Sequence, residues 1–116
     1  MNDDSQASPV KSVRWEGQTC IVTVDGDVNI DCSAEFQRDL LALAQKKPGR
    51  IVLDLSGVHF MDSSGVASLV KLLSAAKKSK MELRLAALDE RVLGIFEVTR
   101  LNTVFDIRNT VQEALA

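Results

Sequence analysis

The residues whose types and spacing are best suited to chemistry are Asp62, Ser63, Ser64 and Gly65, which follow an apolar run and precede a helical pattern. Because Ser63 comes directly before the predicted helix, its hydroxyl is expected to be exposed beside backbone amides that lack an intrahelical partner. A phosphoryl group there would add about -1.5 to -2 charges at neutral pH, which a helix N-terminus tolerates. The added charge, next to Asp62, would weaken the binding of a partner at this surface through repulsion and desolvation.

The same turn also has a purely structural interpretation. Asp-Ser-Ser-Gly before a helix is good capping chemistry, because side-chain oxygens accept hydrogen bonds from the free amides. Gly65 lets another backbone, or the cleft of a kinase, approach closely. From the local residues alone, capping is favoured over a phosphorylation switch.

Interpretations as an enzyme have less support. His59, the single histidine, can be assembled with Ser63 and Asp62 into a Ser-His-Asp triad, but no Gly-x-Ser-x-Gly surrounds the serine. Asp54 and Asp62 form a carboxylate pair only if the fold brings them together. Motifs typical of zinc sites, dinucleotides and P-loops are absent from the sequence. We therefore predict that the protein is not an enzyme and has no catalytic residues, metal or cofactor; nucleotide binding at the helix start is a weaker alternative.

Length and charge set the class of protein. A chain of 116 residues fits one domain, and its net charge of -2 gives no field that suggests nucleic acid. No apolar run approaches the roughly 20 residues of a membrane span, and the acidic start of the chain is unlike a signal peptide. We expect a cytoplasmic protein without nucleic acid and without direct membrane insertion. Cys20 and Cys32 are then two reduced thiols.

Hydrophobic periodicity predicts an α/β fold. Residues 1–9 are expected to be a disordered tail and residues 10–116 the domain. The predicted strands cover residues 13–15, 19–24, 50–55, 81–87 and 105–107, the first two joined by a turn at Gly17. The predicted helices cover residues 34–46, 64–78 and 110–115, with a further helix capped by Asp89 and ending near Arg100. This order implies a mostly parallel central sheet of four to five strands, an N-terminal hairpin and about four helices.

Several side chains receive predicted positions within these elements. Asp31 or Ser33 is expected to cap the first helix, and Trp15 to be a core or edge plug. The second helix is expected to bury Val66, Leu69, Val70 and Leu73. The third helix is expected to bury Val92, Leu93 and Phe96, with Val98 as a further candidate.

The chain from about residue 12 to residue 116 resembles a STAS domain, the fold shared by anti-sigma factor antagonists and sulfate-transporter tails. The specific part is Asp62-Ser63-Ser64-Gly65 after the apolar strand, and the match runs from Leu53 to Leu69. Residues 96–101, Val104-Phe105 and the turn at residues 25–28 also match. The family often has Gly where this chain has Arg100, and Gly near Ser79-Lys80.

The resemblance implies a function. Bacterial antagonists of this family bind an anti-sigma factor that is also a serine kinase, which phosphorylates the first serine after the aspartate, here Ser63. Phosphorylation inactivates the antagonist, and a PP2C-type phosphatase reverses it. The expected partner-binding residues are Met61, Asp62, Ser63, Ser64, Gly65, Asp25, Asp27 and Asn29. The alternative is a scaffold subunit of a stress-signalling assembly or of a lipid-transport ABC system.

Overall fold

The computed structural model describes residues 8–116, which form a five-stranded sheet, four α-helices and one short 3-10 turn. The strands are β1 Val10–Glu16, β2 Thr19–Asp25, β3 Arg50–Gly57, β4 Glu82–Ala86 and β5 Asp106–Arg108. The helices are α1 Ser33–Gln45, α2 Ser63–Lys78, α3 Glu90–Val98 and α4 Val111–Leu115, and the 3-10 turn is Leu101–Thr103.

The strands lie in the sheet in chain order, β1-β2-β3-β4-β5. β1 and β2 are antiparallel, and every later neighbour is parallel. The hairpin turn uses Gly17 at φ 60°, a left-handed conformation that glycine adopts without strain. The predicted α/β class, with an N-terminal hairpin, a mostly parallel sheet and four helices, is confirmed. All the parallel strands end at one edge of the sheet, where α2 and α3 begin.

The core lies on both faces of the central strands. Ile51, Val52 and Leu53 of β3 have no exposed surface, which explains the run of apolar residues without polar alternation. On one face, β2 and β3 pack against α1, α2 and α3 through a single large cluster of buried side chains. On the other face, Ile21, Val52 and Ala86 pack against Ala114 of α4. The sheet therefore has helices on both faces.

Of the two positions predicted for Trp15, the core or an edge, the structure shows the edge: Trp15 is 41% exposed on β1, which has a neighbouring strand on one side only. Two predicted burials are wrong. Val98 is 85% exposed, because it is two residues beyond the buried Phe96 and so lies on the opposite side of α3. Val70 is exposed, and Leu72 and Ala76 complete the buried face of α2 instead.

The predicted cap of the first helix is also wrong. Cys32 occupies the N-cap position of α1, without a side-chain cap from Asp31 or Ser33. The backbone carbonyl of Asn29 accepts hydrogen bonds from the amides of Cys32 and Ser33, at 3.1 and 2.9 Å. A tight turn of the backbone thus supplies an acceptor for these two amides at the start of α1, where the sequence predicts a side-chain cap.

Residues 1–7 of the expected tail lie outside the described residues, whereas Ser8 and Pro9 are described. Pro9 is buried, and its carbonyl accepts a hydrogen bond from the amide of Asp25 at 2.9 Å. The last two residues of the expected tail therefore belong to the folded part. Across residues 8–116, no helix has both the length and the apolar character needed to cross a membrane.

Candidate phosphorylation and partner-binding site

Asp62 caps the first turn of α2. Its Oδ1 accepts hydrogen bonds from the amides of Ser64 and Gly65, at 2.9 and 3.3 Å, and from the Ser64 hydroxyl at 2.5 Å. Its Oδ2 accepts a hydrogen bond from the amide of Ile30 at 3.0 Å. These donors, the Ser64 hydroxyl foremost, lower the pKa of Asp62 against the opposing effect of desolvation. The carboxylate is therefore ionised at neutral pH and joins α2 to the loop after β2.

The three serines in the first two turns of α2 have different environments. Ser63 is exposed at the first helical position, and no hydrogen bond from residues 8–116 reaches its hydroxyl. The Ser64 hydroxyl is engaged by Asp62. Ser68 is buried, and its hydroxyl donates to the backbone carbonyls of Ser64 and Ser33, at 3.1 and 3.3 Å. Of the three, Ser63 alone presents a free nucleophilic oxygen on the surface.

Gly65 has a structural reason to be glycine. A Cβ at this position would lie 2.7 Å from Cγ of Met61 and 2.8 Å from Cγ1 of Val28. Val28 and Met61 pair through a short parallel bridge, and the amide of Asp62 donates to the carbonyl of Val28 at 3.1 Å. Of the two approaches predicted at Gly65, the structure shows that of another backbone, at Val28 of the same chain. Both Met61 and Gly65 are buried, and Met61 also lines the cleft beside Ser63, so their part in partner binding stays a prediction.

The loop at the end of β2 lies beside the start of α2, but its predicted rim residues do not all face Ser63. Asp25, Asp27 and Asn29 line a cavity of about 410 Å³, together with Pro9 and Cys32 among others. The Asn29 side chain is turned inward to its own loop, where it accepts a hydrogen bond from the amide of Asp31 at 3.0 Å. The contact with Asp62 is made by the neighbouring Ile30 and Val28.

A cleft opens on the other side of Ser63, between α2 and α3. Its volume is about 290 Å³, and its lining residues are Met61, Asp62, Ser63, Val66, Ile95 and Thr99. Ile95 and Thr99 were not predicted, since nothing in the sequence indicates that α3 approaches Ser63. Three exposed apolar residues are linked to this lining: Ile30, at 71%, through the hydrogen bond from its amide to Asp62, and Phe60, at 49%, and Val98, at 85%, as sequence neighbours of Met61 and Thr99. The sequence indicates these exposed residues only weakly, since each is simply an apolar residue in a loop or outside the buried face of a helix.

The hydrolase triad is not assembled. Nδ1 of His59 lies 2.9 Å from Oδ2 of Asp89, which also caps α3 by accepting a hydrogen bond from the amide of Val92. The Val92 amide, followed by His59, lowers the pKa of Asp89. Asp54 accepts a hydrogen bond from the amide of Ser56, whereas the described partners of the Asp62 carboxylate are Ile30, Ser64 and Gly65. Within residues 8–116, no three His, Cys, Asp or Glu side chains are grouped to hold a metal ion.

Comparison with known proteins identifies the family. Residues 11–114 match the STAS domain, and the chain belongs to the STAS domain family. The anti-sigma-B factor antagonist of Listeria monocytogenes is 31% identical over 77 residues, which are 66% of this chain and 68% of that protein.

Solved structures share the fold at lower identity. An anti-sigma factor antagonist from Mycobacterium paratuberculosis superposes with a TM-score of 0.83 at 22% identity, over 90% of this chain and 88% of that one. The Bacillus cell fate determinant SpoIIAA in its phosphorylated form superposes with a TM-score of 0.71 at 15% identity, over 90% of this chain and 95% of that one.

Proposed function

We propose that this protein is an anti-sigma factor antagonist that binds an anti-sigma factor with serine kinase activity and is inactivated by phosphorylation of Ser63. The observation that carries the proposal is the exposed, unengaged Ser63 hydroxyl at the first position of α2. The antagonist from Listeria monocytogenes, which matches most of the chain, supports the same function. In this proposal the protein acts in the cytoplasm, performs no catalysis itself, and is restored by a PP2C-type phosphatase.

The choice of Ser63 over Ser64 follows from their hydrogen bonds. Phosphorylation of Ser64 would break its 2.5 Å hydrogen bond to Asp62 and place a dianion against that carboxylate. Phosphorylation of Ser63 breaks no hydrogen bond that any described residue makes to its hydroxyl. A kinase can therefore modify Ser63 while the cap of α2 stays intact.

The same cap explains how a phosphoryl group would act on binding rather than on folding. Asp62 already occupies the amides of Ser64 and Gly65, so these donors are not free to draw a phosphoryl group into the helix end. The group would remain on the surface, at the edge of the cleft between α2 and α3. Binding a partner over the apolar Ile30, Phe60 and Val98 would then require desolvation of about two negative charges.

Charge substitution at Ser63 tests this function. A Ser63→Ala variant, used as bait in lysate of the native cells, identifies the anti-sigma factor, and titration calorimetry then compares wild type with Ser63→Asp. The matched control is Ser74→Asp, since Ser74 is also an exposed serine of α2 but lies farther along the helix. We expect Ser63→Asp to lose most of its affinity and Ser74→Asp to retain it.

Equal affinities for Ser63→Asp and wild type would refute the electrostatic switch. Recovery of an ABC ATPase in place of a sigma regulator would favour the scaffold or transport-subunit alternative. Circular dichroism of each variant, with spectra and melting temperatures matching wild type, ensures that lost affinity reflects the surface charge and not unfolding.

A further inference from the structure

The described lining of the cleft beside Ser63 carries a negative charge and no positive one. Of the described residues that line it, Asp62 is a carboxylate and none is cationic. A phosphoryl group on Ser63 would thus face Asp62 without a compensating positive side chain in the lining itself. A candidate for that positive side chain is Arg100, which directly follows the lining residue Thr99 in the sequence.

Arg100 has an unusual backbone. It adopts φ 62° and ψ 17°, a left-handed conformation that costs an L side chain energy and that glycine adopts freely. The conformation is held on both sides, because the Arg100 amide donates to the carbonyl of Glu97 at 3.1 Å and the Arg100 carbonyl accepts from the Thr103 hydroxyl at 2.7 Å. Lys47, Lys80 and Ala87 have the same kind of backbone, so what distinguishes Arg100 is its guanidinium and its position directly after the cleft residue Thr99.

The guanidinium of Arg100 is also available to bind an anion. It is exposed, and no described carboxylate forms an ion pair with it, including that of Glu97 on the preceding turn. Five other arginines of residues 8–116 do have a carboxylate partner: Arg14, Arg38, Arg50, Arg84 and Arg108. Arg91, the remaining one, lines a separate cavity with His59, Asp89 and Glu90.

We propose that Arg100 is an anion-binding residue that pairs with the phosphoryl group of phosphorylated Ser63 across the end of this cleft, a proposal that rests on the function proposed above. The planar guanidinium can donate two parallel hydrogen bonds to phosphoryl oxygens, a geometry that lysine lacks. The pair would offset repulsion between the phosphoryl group and Asp62. It would also tie the end of α3 to the start of α2 in the phosphorylated state only.

The test measures the second pKa of the phosphoryl group directly. Phosphoserine is incorporated at position 63 by genetic encoding, and the ³¹P NMR signal is followed with pH in wild type and in Arg100→Gly. A neighbouring guanidinium favours the dianion, so the phosphate pKa should be lower in wild type than in Arg100→Gly by about 0.3–0.7 of a pH unit. Arg100→Lys should restore part of that difference, and high salt should reduce it.

Lys80→Gly is the matched control. Lys80 has a left-handed backbone at φ 56°, but it follows the opposite end of α2, away from Ser63. Both glycine variants should gain a few degrees in melting temperature from relieved strain, whereas only Arg100→Gly should change the phosphate titration. Identical titrations in wild type and Arg100→Gly, or an equal change in Lys80→Gly, would overturn the pairing.

The two proposals fail separately. Because phosphoserine is introduced without a kinase, absence of a cellular kinase for Ser63 would refute the proposed switch and leave the titration result intact. Identical titrations would refute the role of Arg100 and leave the switch at Ser63 intact.

Discussion

Replacement of Gly65 by alanine should destabilise the fold, because the first turn of α2 leaves no room for a methyl group. The new Cβ would lie 2.7 Å from Met61 Cγ, 2.8 Å from Val28 Cγ1 and 3.0 Å from the Val28 carbonyl oxygen. Real carbon contacts are longer, so either the helix start or the bridged loop must move. Overpacking of this kind costs about 1–3 kcal/mol, and the better helix propensity of alanine returns up to about 1 kcal/mol.

We therefore expect Gly65→Ala to lower the free energy of unfolding by about 1–2 kcal/mol, or the melting temperature by roughly 4–10 °C. The assay is urea and thermal unfolding followed by circular dichroism. Gly94→Ala is the control, since Gly94 lies within α3 and, among residues 8–116, a Cβ there would meet no atom within 4 Å apart from the neighbouring backbone of its own helix.

Gly94→Ala should raise the free energy of unfolding by about 0.5–1 kcal/mol, because it gains helix propensity without a clash. The opposite signs of the two stability changes distinguish the effect of packing at Gly65 from the effect of helix propensity. A Gly65→Ala protein that is as stable as wild type, or stabilised to the same extent as Gly94→Ala, would refute the tight packing of α2 on Val28 and Met61.

Three further predictions follow from the site and its surroundings. The lowered pKa of Asp62 means that its ionised form stabilises the fold above the ordinary carboxyl pKa, and this stability is lost as the pH falls through the lower folded-state value. Unfolding of wild type between about pH 5 and pH 2 should therefore show a larger loss of stability than Asp62→Asn, and parallel curves would contradict this. Ala87→Gly should raise the free energy of unfolding by about 0.5–1 kcal/mol, since Ala87 has a left-handed backbone at φ 62°. The control Ala86→Gly, in the buried part of β4, should lower it. A destabilised Ala87→Gly would argue against the left-handed backbone. Val98→Asp should weaken partner binding at least about fivefold without unfolding the domain. Val13→Asp, on the edge strand β1, should leave partner binding unchanged. Equal effects of the two substitutions would place the partner elsewhere.

The part of this molecule that could be predicted from sequence is the part determined by local periodicity. The apolar run of β3 and the Asp-Ser-Ser-Gly turn locate the central strand and the start of α2 to within a residue or two. The exposure of Ser63 follows from its place at a helix start. Its hydroxyl has no described partner because the Ser64 hydroxyl donates to Asp62 instead.

The rest depends on contacts between distant segments. Ile30 reaches Asp62 across 32 positions of sequence, and nothing in either residue predicts that hydrogen bond. The approach of Ile95 and Thr99 to Ser63 depends on how α3 packs, which helical periodicity does not specify. Gly65 predicts a close approach by another backbone or by a kinase cleft, but a missing side chain does not reveal which segment fills the space. Here Val28 and Met61 fill it.

The most direct test of the proposed switch is mass spectrometry of the intact protein and its peptides, purified from native cells with and without phosphatase treatment. We expect a single phosphoryl group on Ser63 that phosphatase treatment removes, with Ser64 and Ser74 unmodified in the same sample. A phosphoryl group on Ser64 instead, or none under any growth condition tested, would contradict a switch at Ser63.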